Sequence, residues 1–139
     1  IYPFYQKSKS KIYTLNVKEV LSKWHPHTST CLISKDIFLK TGLYDESRTH
    51  AEDGDLLLRI TKYCDLFVLN ENLVYTIGGK RSFGESGLSA DILKMYKGEI
   101  LALKGAMGRD QINIFEFLSF YIWLSVKFLR RIIIVKRSR

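Results

Sequence analysis

Cysteine and proline are both scarce in this 139-residue chain, which contains two of each. Cys31 and Cys64 lie far apart and form no Cys-x-x-Cys pair, and the three histidines add no ligand pattern to them. A structural zinc site is therefore not expected. Two isolated thiols are typical of a reducing compartment, although the sequence leaves a disulfide between them open.

Long hydrophobic runs are missing from the last predicted helix. Its longest stretch without a charged residue, 117–126, has ten residues, whereas a membrane-spanning helix needs roughly 20. The chain begins at Ile1 without a Met, and no signal peptide is recognisable at its start. We therefore expect a piece of a longer protein, and such a piece would not reveal a leader removed upstream.

Acidic residues are absent from both ends. Residues 1–11 contain three lysines and residues 127–139 contain six lysines or arginines, which places the net charge of +8 at the two ends. Basic ends fit contact with an anionic membrane surface or with nucleic acid better than they fit a basic face on the fold. No aromatic–basic motif supports nucleic acid, so no nucleic-acid partner is expected.

The hydrophobic fraction of 46% and the aromatic fraction of 13% are those of a globular chain, long enough for one domain with a core. Hydrophobic periodicity, cap residues and β-branched runs predict helices together with a few short strands. The predicted helices cover residues 17–24, 36–41, 52–63, 89–107 and 111–135, with caps at Asn16, Ser89 and Asp110 and a left-handed stop at Gly42. The predicted strands cover residues 28–34, 66–69 and 73–77, and a glycine-rich loop follows at 78–87.

The predicted helix at 111–135 has two unlike sides. With roughly 100° of rotation per residue, five of its polar side chains fall within about a third of the circumference. They are Glu116, Ser119, Lys127, Arg130 and Arg131. A basic strip, an aromatic-rich apolar face and a Lys/Arg tail are typical of a helix that lies in a membrane interface. The alternative is a helix that packs on another part of the protein.

Three carboxylates, Glu52, Asp53 and Asp55, crowd the start of the predicted helix 52–63. One interpretation is structural, because acidic side chains near a helix N-terminus stabilise it by about 0.3–1 kcal/mol each. Three acids within four residues repel one another, however, and the helix dipole needs only one or two. A general base or a cation ligand is the chemical alternative.

Three sequence blocks in residues 25–89 resemble the C-terminal half of the catalytic domain of family 2 glycosyltransferases. They read Ser29-Thr-Cys-Leu-Ile-Ser-Lys-Asp36, then Gly42-Leu-Tyr-Asp-Glu46, then Glu52-Asp-Gly-Asp-Leu-Leu-Leu-Arg59. Each block is weak alone, whereas their order and spacing are fairly specific. The resemblance implies an α/β (α+β) fragment of a GT-A fold, with few short strands, helices and a long amphipathic helix at the end.

The resemblance also implies an activity, namely inverting, non-processive transfer of a sugar from a nucleotide-sugar to a glycan or lipid-linked acceptor. Asp53 would be the catalytic base that takes a proton from the acceptor hydroxyl, and Glu52 would orient the acceptor or the base. Asp55 is placed among the substrate-binding residues, where it would form an internal hydrogen-bonded support with Arg59, four residues later on the helix. The alternative function is a non-catalytic module that binds a membrane surface or another protein through the 111–135 helix.

Further substrate-binding residues are implied in two loops. Lys80, Arg81 and Ser82 occupy the place of a mobile family segment that closes over the donor, where cations neutralise the departing diphosphate. His27 resembles a stretch found near the acceptor in relatives. For the lysine and arginine an ordinary solvated turn is the alternative, and for His27 a helix cap or exposure to solvent.

The chain departs from the family pattern in its first half. No Asp-x-Asp motif precedes Asp53, so the divalent cation, Mg²⁺ or Mn²⁺, expected for the full-length parent has no ligand motif here. We therefore expect residues 1–110 to be an acceptor-side half-domain, inactive alone, and residues 111–139 to be an amphipathic helix with a basic tail. The expected location is cytoplasmic, at the inner face of the plasma membrane.

Overall fold

A computed structural model describes residues 12–22, 28–71, 73–74 and 83–137. Five α-helices and two strands are assigned within these ranges. They are β1 (Ile12–Leu15), α1 (Val17–Ser22), α2 (Phe38–Thr41), α3 (Glu52–Ile60), β2 (Leu66–Leu69), α4 (Ile92–Gly108) and α5 (Ile114–Arg137). The predicted class is confirmed, since the described part combines many helical residues with a small sheet, as an α+β fragment would.

The sheet consists of β1 and β2, which pair antiparallel with Ile12 opposite Leu69 and Leu15 opposite Leu66. Asn16 then begins α1 as predicted. Its side-chain oxygen accepts from the amides of Lys18 and Glu19, and the Glu19 carboxylate accepts from the Asn16 amide. This reciprocal capping turns the chain from the sheet into the first helix.

The core lies where α1, α3, α4 and α5 meet the sheet. Its buried members are Leu15, Val20, Leu21, Leu57, Leu58, Ala102, Leu103, Ala106, Ile112 and Leu124. Two small residues of α4, Ala102 and Ala106, belong to this core together with side chains of α3 and α5. The Tyr96 ring of α4 stacks on Phe128 of α5 with centroids 4.5 Å apart. The core therefore fixes α3, whose first turn carries the carboxylates.

The prediction of a buried strand at 28–34 is wrong. Thr28–Thr30 form a 3₁₀ turn, residues 31–34 have no regular structure, and Leu32 is fully exposed. A β-branched run forms a strand only where a neighbouring strand offers hydrogen bonds, and β1 and β2 are the only paired strands in the described ranges.

Two other boundaries differ from the prediction. The strand predicted at 73–77 is not found at Leu73 and Val74, which have no regular structure, while residues 75–77 lie outside the described part. The predicted caps at Ser89 and Asp110 are also wrong. Asp91 caps α4 by accepting from the Lys94 amide, and Asn113 caps α5 through a reciprocal pair with Glu116. Asp110 instead has a left-handed backbone, with φ +57°.

The α5 helix turns part of its predicted polar strip inward. Lys127 and Arg131 point at Glu99 of α4, whereas Ser119 and Arg130 remain exposed. The opposite side, away from the core, is an apolar stripe whose members are 50–79% exposed: Phe115, Leu118, Ile122, Val126, Leu129 and Ile133. No helix in the described ranges is long and apolar enough to cross a bilayer.

Candidate active site

The first turn of α3 begins from a left-handed residue. Ala51 has φ +58° and ψ +26°, and its carbonyl accepts from the Asp55 amide. A left-handed conformation is uncommon for a residue with a Cβ and is frequent near functional sites. It sets the direction in which the next two side chains, Glu52 and Asp53, leave the helix.

Glu52 and Asp53 are half-buried, and each keeps part of its side chain accessible. Asp53 Oδ1 accepts from the amide of Gly54 at 2.7 Å, which limits the rotation of the carboxylate. No ion pair to Asp53 is found among the described residues. The side chain is therefore oriented and accessible, and no neutralising cation lies beside it in the described part of the chain; these are properties that a general base requires.

Asp55 has the opposite environment, because its side chain is only 4% exposed and three guanidinium groups surround it. Its Oδ2 accepts from Arg59 Nε at 2.9 Å. Its Oδ1 lies 3.4 Å from Arg48 Nη2 and 3.6 Å from Arg109 Nη1. Asp55 thus joins side chains from α3, from the segment before it and from the connection between α4 and α5.

Arg59 fastens the Gly42-Leu43-Tyr44 segment to α3. Its Nη1 donates to the carbonyl of Thr41 and its Nη2 donates to the carbonyl of Leu43 at 2.8 Å. Between these carbonyls Gly42 has φ +71°, as the predicted helix stop requires. One arginine therefore satisfies backbone groups at the end of α2 and holds that end against the first turns of α3.

Arg48 fastens the rest of the connecting segment. Its Nε donates to Asp45 Oδ2 at 3.0 Å, while its Nη2 reaches Asp55. Asp45 also accepts from the hydroxyl and the amide of Ser47, at 2.6 and 3.1 Å. The Ser47 hydroxyl, then Arg48, hold the pKa of Asp45 below its ordinary value.

The connection between α4 and α5 is fixed to α3 by the third arginine and by a glutamine. Arg109 Nε donates to Gln111 Oε1 at 2.8 Å, and Gln111 Nε2 donates to the Leu58 carbonyl at 2.6 Å. Burial lowers the pKa of Arg109, an effect that the Asp55 carboxylate opposes. The site is thereby connected to the C-terminal helices as well as to its sequence neighbours.

Two side chains remote in sequence share the electrostatic surroundings of Asp53. Burial, and then the Asp53 charge, raise the pKa of the Cys31 thiol. Burial raises the pKa of Tyr44, with smaller contributions from Cys31, Asp53 and Glu52, while a hydrogen bond with Thr28 opposes the shift. Residues 28–31 and the aromatic residue of the Gly-Leu-Tyr-Asp-Glu block thus lie beside the carboxylates.

The predicted site residues have different outcomes. Glu52 and Asp53 lie together at the start of α3. Asp55 is buried and forms ion pairs with three arginines. Lys80, Arg81, Ser82 and His27 lie outside the described residues. The sequence interpretation did not find Arg48 or Arg109, and Tyr44 was recognised only as part of a motif.

A divalent cation does not fit the described residues of this site. In the described part of the chain, no group of three or more His, Cys, Asp or Glu side chains could hold a metal ion. The Asp53-Gly54-Asp55 sequence has the letters of a metal motif, but Asp55 is committed to guanidinium groups. No chemical step at this site is therefore assigned to a cation.

Comparison with known proteins identifies a family. Residues 5–104 match the family model described as glycosyltransferase-like family 2. No curated protein and no solved structure matches the chain. The family match covers well over half of the 139 residues and includes the three sequence blocks, α3 and its carboxylates. This chain therefore belongs to glycosyltransferase-like family 2.

Proposed function

We propose that this chain is the acceptor-side part of an inverting, non-processive glycosyltransferase in which Asp53 is the catalytic base. Asp53 takes the proton from an acceptor hydroxyl as that oxygen attacks the anomeric carbon of a nucleotide-sugar. The bond to the diphosphate breaks, and the diphosphate leaves with its electron pair. Glu52, next to the base, orients the acceptor hydroxyl.

The observation that carries this proposal is the contrast between Asp53 and Asp55 on one helical turn. Asp55 is buried among three arginines and holds the surrounding segments, whereas Asp53 is accessible and unpaired among the described residues. A rigid scaffold beneath an accessible carboxylate supports general-base chemistry, because a base must be in place before the substrate arrives.

In this proposal, the part of the enzyme that binds the sugar donor lies outside this chain. A nucleotide-binding half would hold the nucleotide-sugar and a divalent cation, Mg²⁺ or Mn²⁺, and residues 1–139 alone would not transfer sugar. The acceptor would be a glycan or a lipid-linked molecule, as in the synthesis of cell-envelope polysaccharide.

Two substitutions in the parent protein separate the proposed roles. Asp53→Asn should lower kcat about 10²–10⁴-fold, the usual contribution of a general base. Glu52→Gln should raise the KM for the acceptor more than it lowers kcat, because it removes an orienting contact. Initial rates with a radiolabelled nucleotide-sugar measure both effects. If the two substitutions changed kcat and the KM for the acceptor equally, the assignment of Asp53 as base and Glu52 as orienting residue would be contradicted.

We also propose that α5 docks on an anionic membrane surface, at the cytoplasmic face in the proposed setting. The outward stripe of α5 repeats every three or four residues over most of the helix, and Arg130, Lys136 and Arg137 accompany it. Apolar side chains that insert between lipids, together with nearby cations, are the chemistry of interfacial helices. The same stripe supports the alternative of a non-catalytic membrane-binding module.

Vesicle co-sedimentation tests the docking of α5. The chain should sediment with vesicles rich in phosphatidylglycerol and much less with phosphatidylcholine vesicles. Replacing both Ile122 and Val126 with Gln should abolish sedimentation, because it removes two apolar side chains of the stripe that inserts between lipids. Both side chains point away from the core, so the fold should not change. Ser119→Gln, on the exposed polar side, is the matched control. Unchanged sedimentation of the double variant would contradict this proposal.

A further inference from the structure

A cavity of about 260 Å³ lies between the segment before α3 and the first half of α4. Ser47, Arg48, Thr49 and His50 form one wall, and Lys94, Lys97, Gly98 and Leu101 form the other. The wall formed by residues 47–50 ends two residues before Glu52. The cavity therefore lies next to the segment that carries the proposed base, without including the base itself.

The first wall is held firmly by His50, which is 8% exposed. Its Nε2 lies 3.1 Å from the carbonyl oxygen of Leu88 and must donate to it, because a carbonyl only accepts. The neutral ring then has Nδ1 as an acceptor, and the Thr49 hydroxyl donates to it at 2.9 Å. This wall is thus tied to the turn that precedes α4.

The two walls meet closely because Gly98 has no side chain. A Cβ at this position would collide with the carbonyl oxygen of His50 and would lie 3.2 Å from the Cβ of Ala51. The glycine allows α4 to rest directly on the backbone before α3. As a result Lys94 and Lys97, one helical turn apart, are brought opposite Arg48 and Thr49.

The charges around the cavity are mainly positive. None of the lining residues is acidic. Lys94 forms an ion pair with Asp91 at 3.3 Å, whereas Lys97 forms none with the described residues. The Nη1 atom of Arg48 is buried and has no hydrogen-bond partner within the described part of the chain. Arg48 is paired with Asp45 and Asp55, so Lys97 is the lining cation without a carboxylate partner among the described residues, and it gives the cavity an attraction for an anion.

We propose that this cavity binds the phosphate group of a phosphorylated ligand, with Lys97 as its principal contact. The volume is below the roughly 300–1,000 Å³ of pockets for drug-sized molecules, so it has room for a phosphate and the first atoms of its ester. Lysine binds phosphate as a point charge and needs no planar pairing geometry. We deduce that the phosphate belongs to the acceptor, and this deduction rests on the proposed function.

A titration of the 139-residue chain with inorganic phosphate tests the site directly. Amide resonances of residues 47–50 and 94–98 should shift with phosphate and not with chloride at the same ionic strength. Lys97→Gln should weaken binding about tenfold, the loss of one charge-assisted hydrogen bond. Lys104→Gln is the matched control, since Lys104 is exposed on the same side of α4 and does not line the cavity. Equal shifts with chloride, or equal affinities of the two variants, would overturn the proposal.

A second pair of ligands identifies the source of the phosphate. A short-chain soluble phosphatidic acid that binds much more tightly than inorganic phosphate would identify a lipid phosphate. Equal affinities would identify a free phosphate or a water-soluble ester. The Asp53→Asn variant should bind both ligands with the affinities of the unsubstituted chain. The phosphate site and the assignment of Asp53 as the base can therefore fail independently.

Discussion

Two buried carboxylates, Asp55 and Glu99, hold this protein together in different ways. Each forms ion pairs with more than one cation, and each is at most 5% exposed. Asp55 contacts three arginines, at the start of α3. Glu99 contacts Lys127 at 3.2 Å and Arg131 at 3.0 Å, between α4 and α5.

The difference between the clusters lies in what their cations can do when the carboxylate is lost. Arginine stays protonated at any pH that a folded protein survives, and its guanidinium can also satisfy several backbone carbonyls. Lysine can release its proton when it is buried. Burial already lowers the pKa of Lys127, although Glu99 opposes that shift. The arginines near the proposed base therefore keep their charge as the pH rises, whereas Lys127 of the helix–helix cluster can lose its charge.

The largest effect is expected at Asp55. Asp55→Asn leaves three guanidinium groups without their shared counter-charge and should destabilise the fold by about 4 kcal/mol, within the range for breaking a buried pair. Urea denaturation measures the change. The loss should be nearly constant between pH 7 and pH 10, because arginine does not titrate there. A strong decrease of the loss with rising pH would contradict this account of the cluster.

A smaller loss, about 3 kcal/mol at pH 7, is expected for Glu99→Gln. Without Glu99 the pKa of Lys127 falls further below 10.5, its ordinary value. Between the folded and the unfolded pKa the unfolded chain binds more protons, so stability rises with pH. The loss of stability of Glu99→Gln relative to the unsubstituted chain should therefore shrink as the pH approaches 10. Parallel urea denaturations of the two chains measure it. A deficit that does not change with pH would refute this difference from Asp55.

The triple substitution of Glu99, Lys127 and Arg131 by Leu, Met and Leu is the control for that experiment. It removes all three charges together and leaves no buried ion unpaired. Its loss should be smaller than that of Glu99→Gln, because well-packed apolar residues replace buried ion clusters at little cost. A greater loss would show that the cluster contributes net stability.

Gly98 and Gly108 on α4 give the smallest predicted differences. Gly98→Ala should destabilise by about 2 kcal/mol, because the new Cβ meets the His50 backbone and overpacks that contact. Gly108→Ala meets no atom within 4 Å and should stabilise by about 0.5 kcal/mol. Thermal denaturation compares the two variants. Stabilisation by Gly98→Ala, as is expected for Gly108→Ala, would show that α4 does not rest on the segment before α3.

Local signals in the sequence were sufficient for some of these elements. The stop at Gly42, the cap at Asn16 and the beginning of α3 at Glu52 were predicted, because each depends on residues within one or two turns. The caps of α4 and α5 were placed two or three residues too early, since several polar residues there have similar preferences. Periodicity identified α5 but could not tell which of its apolar sides faces the core.

Contacts between distant residues explain what the sequence could not reveal. The strand predicted at 28–34 failed because no neighbouring strand is paired with it in the described ranges. Arg109 reaches Asp55 across more than fifty residues, and Lys127 and Arg131 reach Glu99 across about thirty, so no local pattern marks them. The accessible Asp53 was found because a family motif marks it.

Comparing Asp53→Asn with Asp55→Asn in the full-length protein tests directly whether Asp53 is the base and Asp55 the structural support. Turnover and the free energy of unfolding are measured on the same preparations. We expect Asp53→Asn to lower turnover at least 100-fold while the free energy of unfolding changes by less than about 0.5 kcal/mol. Asp55→Asn should lose stability by several kcal/mol. Turnover near that of the parent in Asp53→Asn would contradict the account.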